Sequence, residues 1–90
     1  MSTYRLMITG RVQDVNYRRF VVDMAQTLGY VGYVKNSSVD GSVEVVINAE
    51  YEEDLEFFIS KLYDGSMFSD VQDVTCKKID NMVFDDFEKR

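Results

Sequence analysis

Two adjacent arginines, Arg18 and Arg19, occupy what the sequence predicts to be the first turn of a helix. The positive end of the helix dipole repels cations, so this arrangement favours a nearby anion. Before them runs a loop, residues 10–16, whose backbone N–H groups could converge on the same point, and such groups together with guanidinium groups bind phosphate. Arginine suits this ligand because its planar fork can hold two phosphate oxygens. The alternative interpretation is a solvated pair of surface side chains.

The composition restricts the chemistry available to this site. The 90 residues include no histidine, which removes imidazole acid–base catalysis and the usual ligand of zinc sites. The single cysteine, Cys76, cannot form an internal disulfide, so a reducing cytoplasm is the expected compartment. No apolar run approaches the roughly 18 residues of a membrane-spanning helix. The composition therefore excludes imidazole catalysis and most zinc sites, and we expect no cofactor.

The distribution of charge favours a small anionic ligand. The net charge is −6, yet residues 1–36 hold five basic and two acidic side chains, which gives +3 there and −9 in the remaining 54 residues. The positive region surrounds the two arginines, whereas the acidic whole disfavours nucleic acid and anionic membranes. A compact anion fits this pattern better than a long polyanion.

Hydrophobic periodicity predicts the elements that position the loop. A short strand covers residues 4–8 and ends at Gly10. The first helix has an apolar face with helical spacing and stops at Gly29. The members of that face are Tyr17, Phe20, Val21, Met24, Ala25 and Leu28.

The rest of the chain is predicted to supply further strands and a second helix. Strands are predicted over residues 31–36, 42–47 and 71–79, with a possible short fifth strand over 82–87. A second helix lies between the third and fourth strands, with Asn48 as candidate cap and Gly65 after its end. Its apolar face comprises Tyr51, Leu55, Phe58, Ile59 and Leu62.

The order β-α-β-β-α-β predicts an α+β fold. Two right-handed βαβ crossovers interleave into an antiparallel sheet with both helices on one face, the ferredoxin-like sandwich. We expect residues 1–90 to form one domain. This fold hosts many functions, so the site must decide between them.

Two sequence motifs resemble the paired signature of the acylphosphatases. That family reads Gly-x-Val-Gln-Gly-Val-x-Phe-Arg, followed by Gly-aromatic-x-basic-Asn. The segment "GRVQDVNYR" and the later "GYVKN" match it, and "DGSVEVV" is similar to the family's third strand. The matching residues are Gly10, Val12, Gln13, Val15, Arg18, Gly32, Tyr33, Lys35 and Asn36.

The resemblance implies hydrolysis of carboxyl–phosphate mixed anhydrides to a carboxylate and inorganic phosphate, without a metal or phosphoenzyme. The implied catalytic residues are Arg18, which binds phosphate, and Asn36, which orients water. Arg19 has no matching role. The implied partner is a small-molecule acyl phosphate, with no nucleic acid or membrane, and we expect a monomer. The implied phosphate-binding residues are Gln13, Asp14, Val15, Asn16, Tyr17 and Arg18.

Three departures from the family pattern bear on activity. Asp14 stands where the family has glycine, and its carboxylate could repel phosphate, turn outward or pair with an arginine. Tyr17 replaces the usual phenylalanine, and the segment between Asn36 and Gly41 is one residue longer than usual. The alternative function is therefore a catalytically weakened acylphosphatase-like domain that binds an anion or a protein partner.

Overall fold

The computed structural model describes residues 1–90, and its elements follow the predicted order, including the short fifth strand. The first helix keeps its predicted bounds. The first strand is longer than predicted at both ends, the second begins one residue later, the third begins one residue later and ends two residues later, and the fourth begins one residue earlier. The elements are β1 (Ser2–Arg11), α1 (Tyr17–Leu28), β2 (Gly32–Asn36), β3 (Val43–Ala49), α2 (Glu52–Asp64), β4 (Asp70–Ile79) and β5 (Phe87–Lys89).

The five strands form one sheet in the order β4-β1-β3-β2-β5. The first four are antiparallel to their neighbours, as predicted, but β5 pairs parallel to β2 and makes the sheet mixed. The predicted fifth strand therefore exists but begins at Phe87, because residues 80–86 form the connection from one edge of the sheet to the other. Met82 donates its N–H to the Thr3 hydroxyl in that crossing.

Both helices pack on one face of the sheet and enclose a single core. Alternating residues of β1 and β3 point into it, for example Leu6 opposite Val45 and Ile8 opposite Val43. Side chains two residues apart on the strands and three or four residues apart on the helices point into this layer. Neither helix is long and apolar enough to cross a membrane. The helix residues fully or almost fully buried there are Tyr17, Val21, Ala25, Leu55, Phe58 and Leu62.

The predicted cap of the second helix is wrong. Asn48 lies within β3, and the N-cap of α2 is Tyr51, which makes no side-chain capping bond. The Asn48 amide instead accepts from the Thr3 hydroxyl at 2.5 Å and donates to the Met82 carbonyl at 3.0 Å. Pairing with β1 extends β3 beyond Asn48, and the acidic first turn of α2 suits its helix dipole without a cap.

Glycines in the two motifs allow close approach of neighbouring strands. Gly10 has φ 122° at a bulge between β1 and β4, and Gly32 has φ 148°. A Cβ atom at Gly10 would collide with the Asp70 carbonyl oxygen, and one at Gly32 with the Val46 carbonyl oxygen. Gly10 thus allows β1 to lie close to β4 just before the functional loop, and Gly32 allows β2 to begin in close contact with β3.

Candidate active site

The loop between β1 and α1 presents backbone donors with no partner. Asp14 and Asn16 both adopt the left-handed region, with φ 60° and 61°. No hydrogen bond engages the N–H groups of residues 12–16, and those of Tyr17, Arg18 and Arg19 have no acceptor within α1. Left-handed residues within a loop turn successive N–H groups to one side, which creates an anion-binding concavity.

Side-chain hydrogen bonds hold this loop from two directions. The Gln13 amide donates to the Ser37 carbonyl at 3.0 Å and to the Ser42 carbonyl at 2.9 Å, across the two ends of the β2–β3 connection. On the other side, the Ser66 hydroxyl donates to the Val15 carbonyl at 2.8 Å, and the Val15 side chain packs against the core. The loop is therefore fixed relative to the strand end that carries Asn36.

A cavity of about 280 Å³ lies over the loop and the start of α1. It brings together both predicted catalytic residues, which are 18 positions apart in sequence. Residues lining it are Val12, Asp14, Asn16, Tyr17, Arg18, Arg19, Asn36 and Lys89.

Asn36, the last residue of β2, carries the one buried side-chain polar atom that lacks a hydrogen bond, its Oδ1. An unsatisfied buried acceptor costs about 1–3 kcal/mol. Such a cost is expected where the acceptor serves a bound molecule rather than the fold. Asn36 also lines the cavity, so its side-chain amide lies beside the place where a water or substrate group would be held.

The arginines differ in their surroundings. Arg18 is half-buried and donates from Nη1 to the Arg90 backbone oxygen at 3.0 Å, so its guanidinium is steered while other donors stay free. The Arg19 side chain is 80% exposed and lies 3.9 Å from the Asp23 carboxylate. Arg19 nevertheless lines the edge of the cavity, where its charge adds to that of Arg18.

Lys89 is a cavity residue that the sequence did not indicate. It lies on β5, which runs beside β2 and so brings the chain's last basic residues next to Asn36. The basic run Lys89-Arg90 was the available signal, but the predicted fifth strand stopped at residue 87. Three cationic side chains and one carboxylate, that of Asp14, therefore surround the cavity.

Asp14 is exposed at the rim of the cavity. No contact within 4.0 Å joins its carboxylate to Arg18 or Arg19, so it forms neither of the ion pairs considered above. Its negative charge therefore lies near any bound phosphate and is not neutralised by a paired arginine.

Three predicted phosphate-binding residues turn their side chains away from the cavity. Gln13 points to the β2–β3 connection and Val15 to the core, while the Tyr17 hydroxyl donates to the Leu62 carbonyl at 2.8 Å. Burial raises the pKa of the Tyr17 phenol well above its ordinary value, so it stays protonated as a donor. Only the backbone N–H groups of these residues are placed to meet an anion.

The site can position and stabilise an anion but offers little for proton transfer. Its lining holds one carboxylate and no histidine or cysteine, and no three acidic or cysteine side chains of the protein cluster so as to hold a metal ion. The groups that it does supply are oriented N–H groups, guanidinium charge and one asparagine, which act on charge rather than on protons.

Comparison with known proteins gives one consistent family. The family model described as Acylphosphatase matches residues 4–89. The chain is 40% identical over 90 residues to a curated acylphosphatase of Bacillus licheniformis, covering 99% of this chain and 94% of that protein. A Methanocella arvoryzae acylphosphatase is 33% identical over the full length of both chains. The crystal structure of Bacillus subtilis acylphosphatase superposes with a TM-score of 0.90 at 33% identity, covering 100% and 99% of the two chains.

Proposed function

This chain belongs to the acylphosphatase family, and from that premise we infer that it hydrolyses acyl phosphates to a carboxylate and inorganic phosphate. The observation that carries the residue assignment is the partnerless Oδ1 of Asn36, which is buried beside a loop of free N–H groups and Arg18. The weakened binding domain, the alternative raised by Asp14, gains no support from the comparisons over an active enzyme.

The proposed reaction is an in-line displacement at phosphorus. The water oxygen forms a bond to phosphorus while the bond from phosphorus to the acyl oxygen breaks, and that electron pair leaves with the carboxylate. One water proton stays on the phosphate and the other goes to solvent. A carboxylate leaves readily, so the site needs no general acid, and the transition state requires mainly positioning and charge stabilisation.

Arg18 and the backbone N–H groups of residues 13–18 are proposed to hold the phosphoryl oxygens. The guanidinium can donate two parallel bonds, and the N–H groups need no reorganisation because the loop is already fixed by Gln13 and Ser66. Lys89 and Arg19 raise the local positive potential at the rim.

Asn36 is proposed to orient the attacking water. An amide cannot remove a proton at neutral pH, so its contribution is to hold the water in line, which raises its effective concentration. Its Oδ1 has no partner within the protein, so a rotation of the side chain toward the cavity lets it accept a hydrogen bond from that water without breaking another bond. This role predicts an effect on the chemical step rather than on phosphate affinity.

The test measures metal-free hydrolysis of acetyl phosphate, with a chelator present, for the native chain, Arg18→Ala and Asn36→Ala. We expect each substitution to lower kcat/KM by about a hundredfold or more, as loss of a transition-state donor does. Asn36→Ala should bind inorganic phosphate within about threefold of native, since it acts on water rather than phosphate.

Two exposed residues outside the cavity serve as matched controls, Arg11→Ala and Asn81→Ala, and both should retain native rates. Absence of hydrolysis by the native chain would refute the activity. Full activity of Arg18→Ala, or an Asn36→Ala defect confined to phosphate binding, would refute the assigned roles.

We further propose that residues 1–90 form one acylphosphatase domain that acts as a cytoplasmic monomer without cofactor, nucleic acid or membrane partner. One continuous core, an acidic net charge and a single unpaired cysteine support this proposal. Sedimentation at micromolar concentration would detect a dimer and so contradict the monomeric state.

A further inference from the structure

An apolar row on α1 remains partly uncovered. Phe20, Met24 and Leu28 follow one another at i, i+4 and i+8, and the sequence places all three on the core face. In the structure Phe20 and Met24 are half-buried, and Leu28 is 41% exposed. The row borders a groove of about 540 Å³, here called the α1 groove. Its other lining residues are polar or charged, namely Asn16, Arg19, Asp23, Thr27, Lys61 and Ser66.

The α1 groove opens from the proposed phosphate site. Asn16 and Arg19 line both the cavity and the groove, whereas Asn36 lines only the cavity. The groove therefore meets the phosphate site away from the residue proposed to hold the water. Along α1, Phe20 to Leu28 spans about 12 Å, which is room for a medium-length hydrocarbon chain.

The reaction geometry relates the groove to the substrate. In phosphoryl transfer the attacking and leaving oxygens are roughly in line with phosphorus between them. With the water held at Asn36, the leaving acyl oxygen points away from Asn36, which lines the cavity but not the groove, whereas Asn16 and Arg19 line both.

We infer that the α1 groove is the acyl subsite of this enzyme and that its substrates are acyl phosphates with an extended apolar acyl chain. The inference rests on the proposed function and adds the substrate class to it. Phe20, Met24 and Leu28 contact the chain, and Arg19 lies where phosphate and acyl group join.

A second recess, of about 230 Å³, also meets the cavity, but it suits a different acyl group. Arg19, Asp23 and Lys89 are three of its four lining residues, and the fourth is Val22. A charged acyl group would be favoured there and a hydrocarbon chain disfavoured. Comparing charged and apolar substrates therefore separates the two recesses.

The experiment compares kcat/KM for acetyl, butanoyl and hexanoyl phosphate, with succinyl phosphate as the charged probe. Complete burial of a methylene is worth about fourfold, so partial burial in an open groove should give about twofold per methylene. We expect the native chain to prefer hexanoyl over acetyl phosphate by about 16-fold at that increment. Butanoyl should exceed succinyl phosphate, which has the same number of carbons.

Met24→Gln and Leu28→Gln test the groove, because glutamine resembles each side chain in size but carries a polar amide. The readout is the ratio of kcat/KM for hexanoyl phosphate to kcat/KM for acetyl phosphate within each variant. A loss of folded protein lowers both values equally and so leaves this ratio unchanged. The ratio should fall at least threefold in each variant and stay native in Val83→Thr, whose residue is 93% exposed and outside the groove.

Several results would overturn the inference. If kcat/KM does not change with acyl chain length while acetyl phosphate is hydrolysed, the acyl subsite is refuted and the proposed function stands. A preference for succinyl phosphate assigns the acyl group to the charged recess instead. Absence of hydrolysis of all four substrates overturns both the inference and the proposed function.

Discussion

Replacing Asp14 measures how much its carboxylate opposes phosphate binding. The perturbation is Asp14→Asn, which removes the charge but retains similar size and tolerance of the left-handed conformation at φ 60°. Asp14→Gly removes the charge and restores the residue expected from the family pattern. Because Asp14 lines the cavity and pairs with neither arginine, its charge acts on the ligand directly.

The magnitude follows from the size of the cavity. A sphere of about 280 Å³ is about 8 Å across, so we place dianionic phosphate about 6 Å from the carboxylate and obtain a repulsion of about 1.4 kcal/mol in water. Physiological salt, with a Debye length of about 8 Å, reduces this to about 0.7 kcal/mol. Both variants should therefore bind phosphate about 3- to 10-fold more tightly than native.

The assay is calorimetric titration with inorganic phosphate at pH 8, repeated at low salt and at about 1 M salt, where the Debye length is about 3 Å. The gain should nearly vanish at high salt. Asp85→Asn, which makes the same charge change outside the cavity, should bind phosphate as the native chain does. Unchanged affinity in both Asp14 variants, or a gain that persists at high salt, would refute this account of Asp14.

Two further substitutions test contacts that the structure alone revealed. Tyr17→Phe removes the donor to the Leu62 carbonyl in the last turn of α2, so urea denaturation should show a loss of about 1–2 kcal/mol; Tyr51→Phe, at an exposed tyrosine, should lose less than about 0.5 kcal/mol. Gln13→Met keeps the shape but loses both bonds to the β2–β3 connection. Steady-state kinetics with acetyl phosphate should show kcat falling about tenfold, with phosphate affinity changed less than about threefold; an effect on affinity alone would contradict a positioning role.

Local sequence pattern was sufficient to predict much of the fold. The spacing from Tyr17 to Leu28 and the glycine after it gave the bounds of α1 because helix periodicity and its stop signal are both local. The predicted cap at Asn48 failed because pairing with β1 extends β3 through that residue. Strand ends are decided by the partner strand, and a single segment does not carry that information.

Some features of the site were likewise predictable from local sequence, and others depended on contacts between distant segments. The arginines at a helix start and the loop before them indicated an anion site from their own chemistry, since dipole and guanidinium act over a few residues. That Gln13 braces the strand end of Asn36, and that Lys89 joins the cavity, depends on contacts between segments 24 and more positions apart.

The sequence by itself determined which groups could act on phosphate: it supplied Arg18, the donor-rich loop, Asn36 and the absence of histidine. Tertiary structure decided how they are used. Parallel pairing of β5 with β2 brought Lys89 to the cavity, and burial at the end of β2 left the Asn36 Oδ1 without a partner. Charge and hydrogen-bonding capacity belong to each residue, but burial and proximity arise only when distant segments pack together.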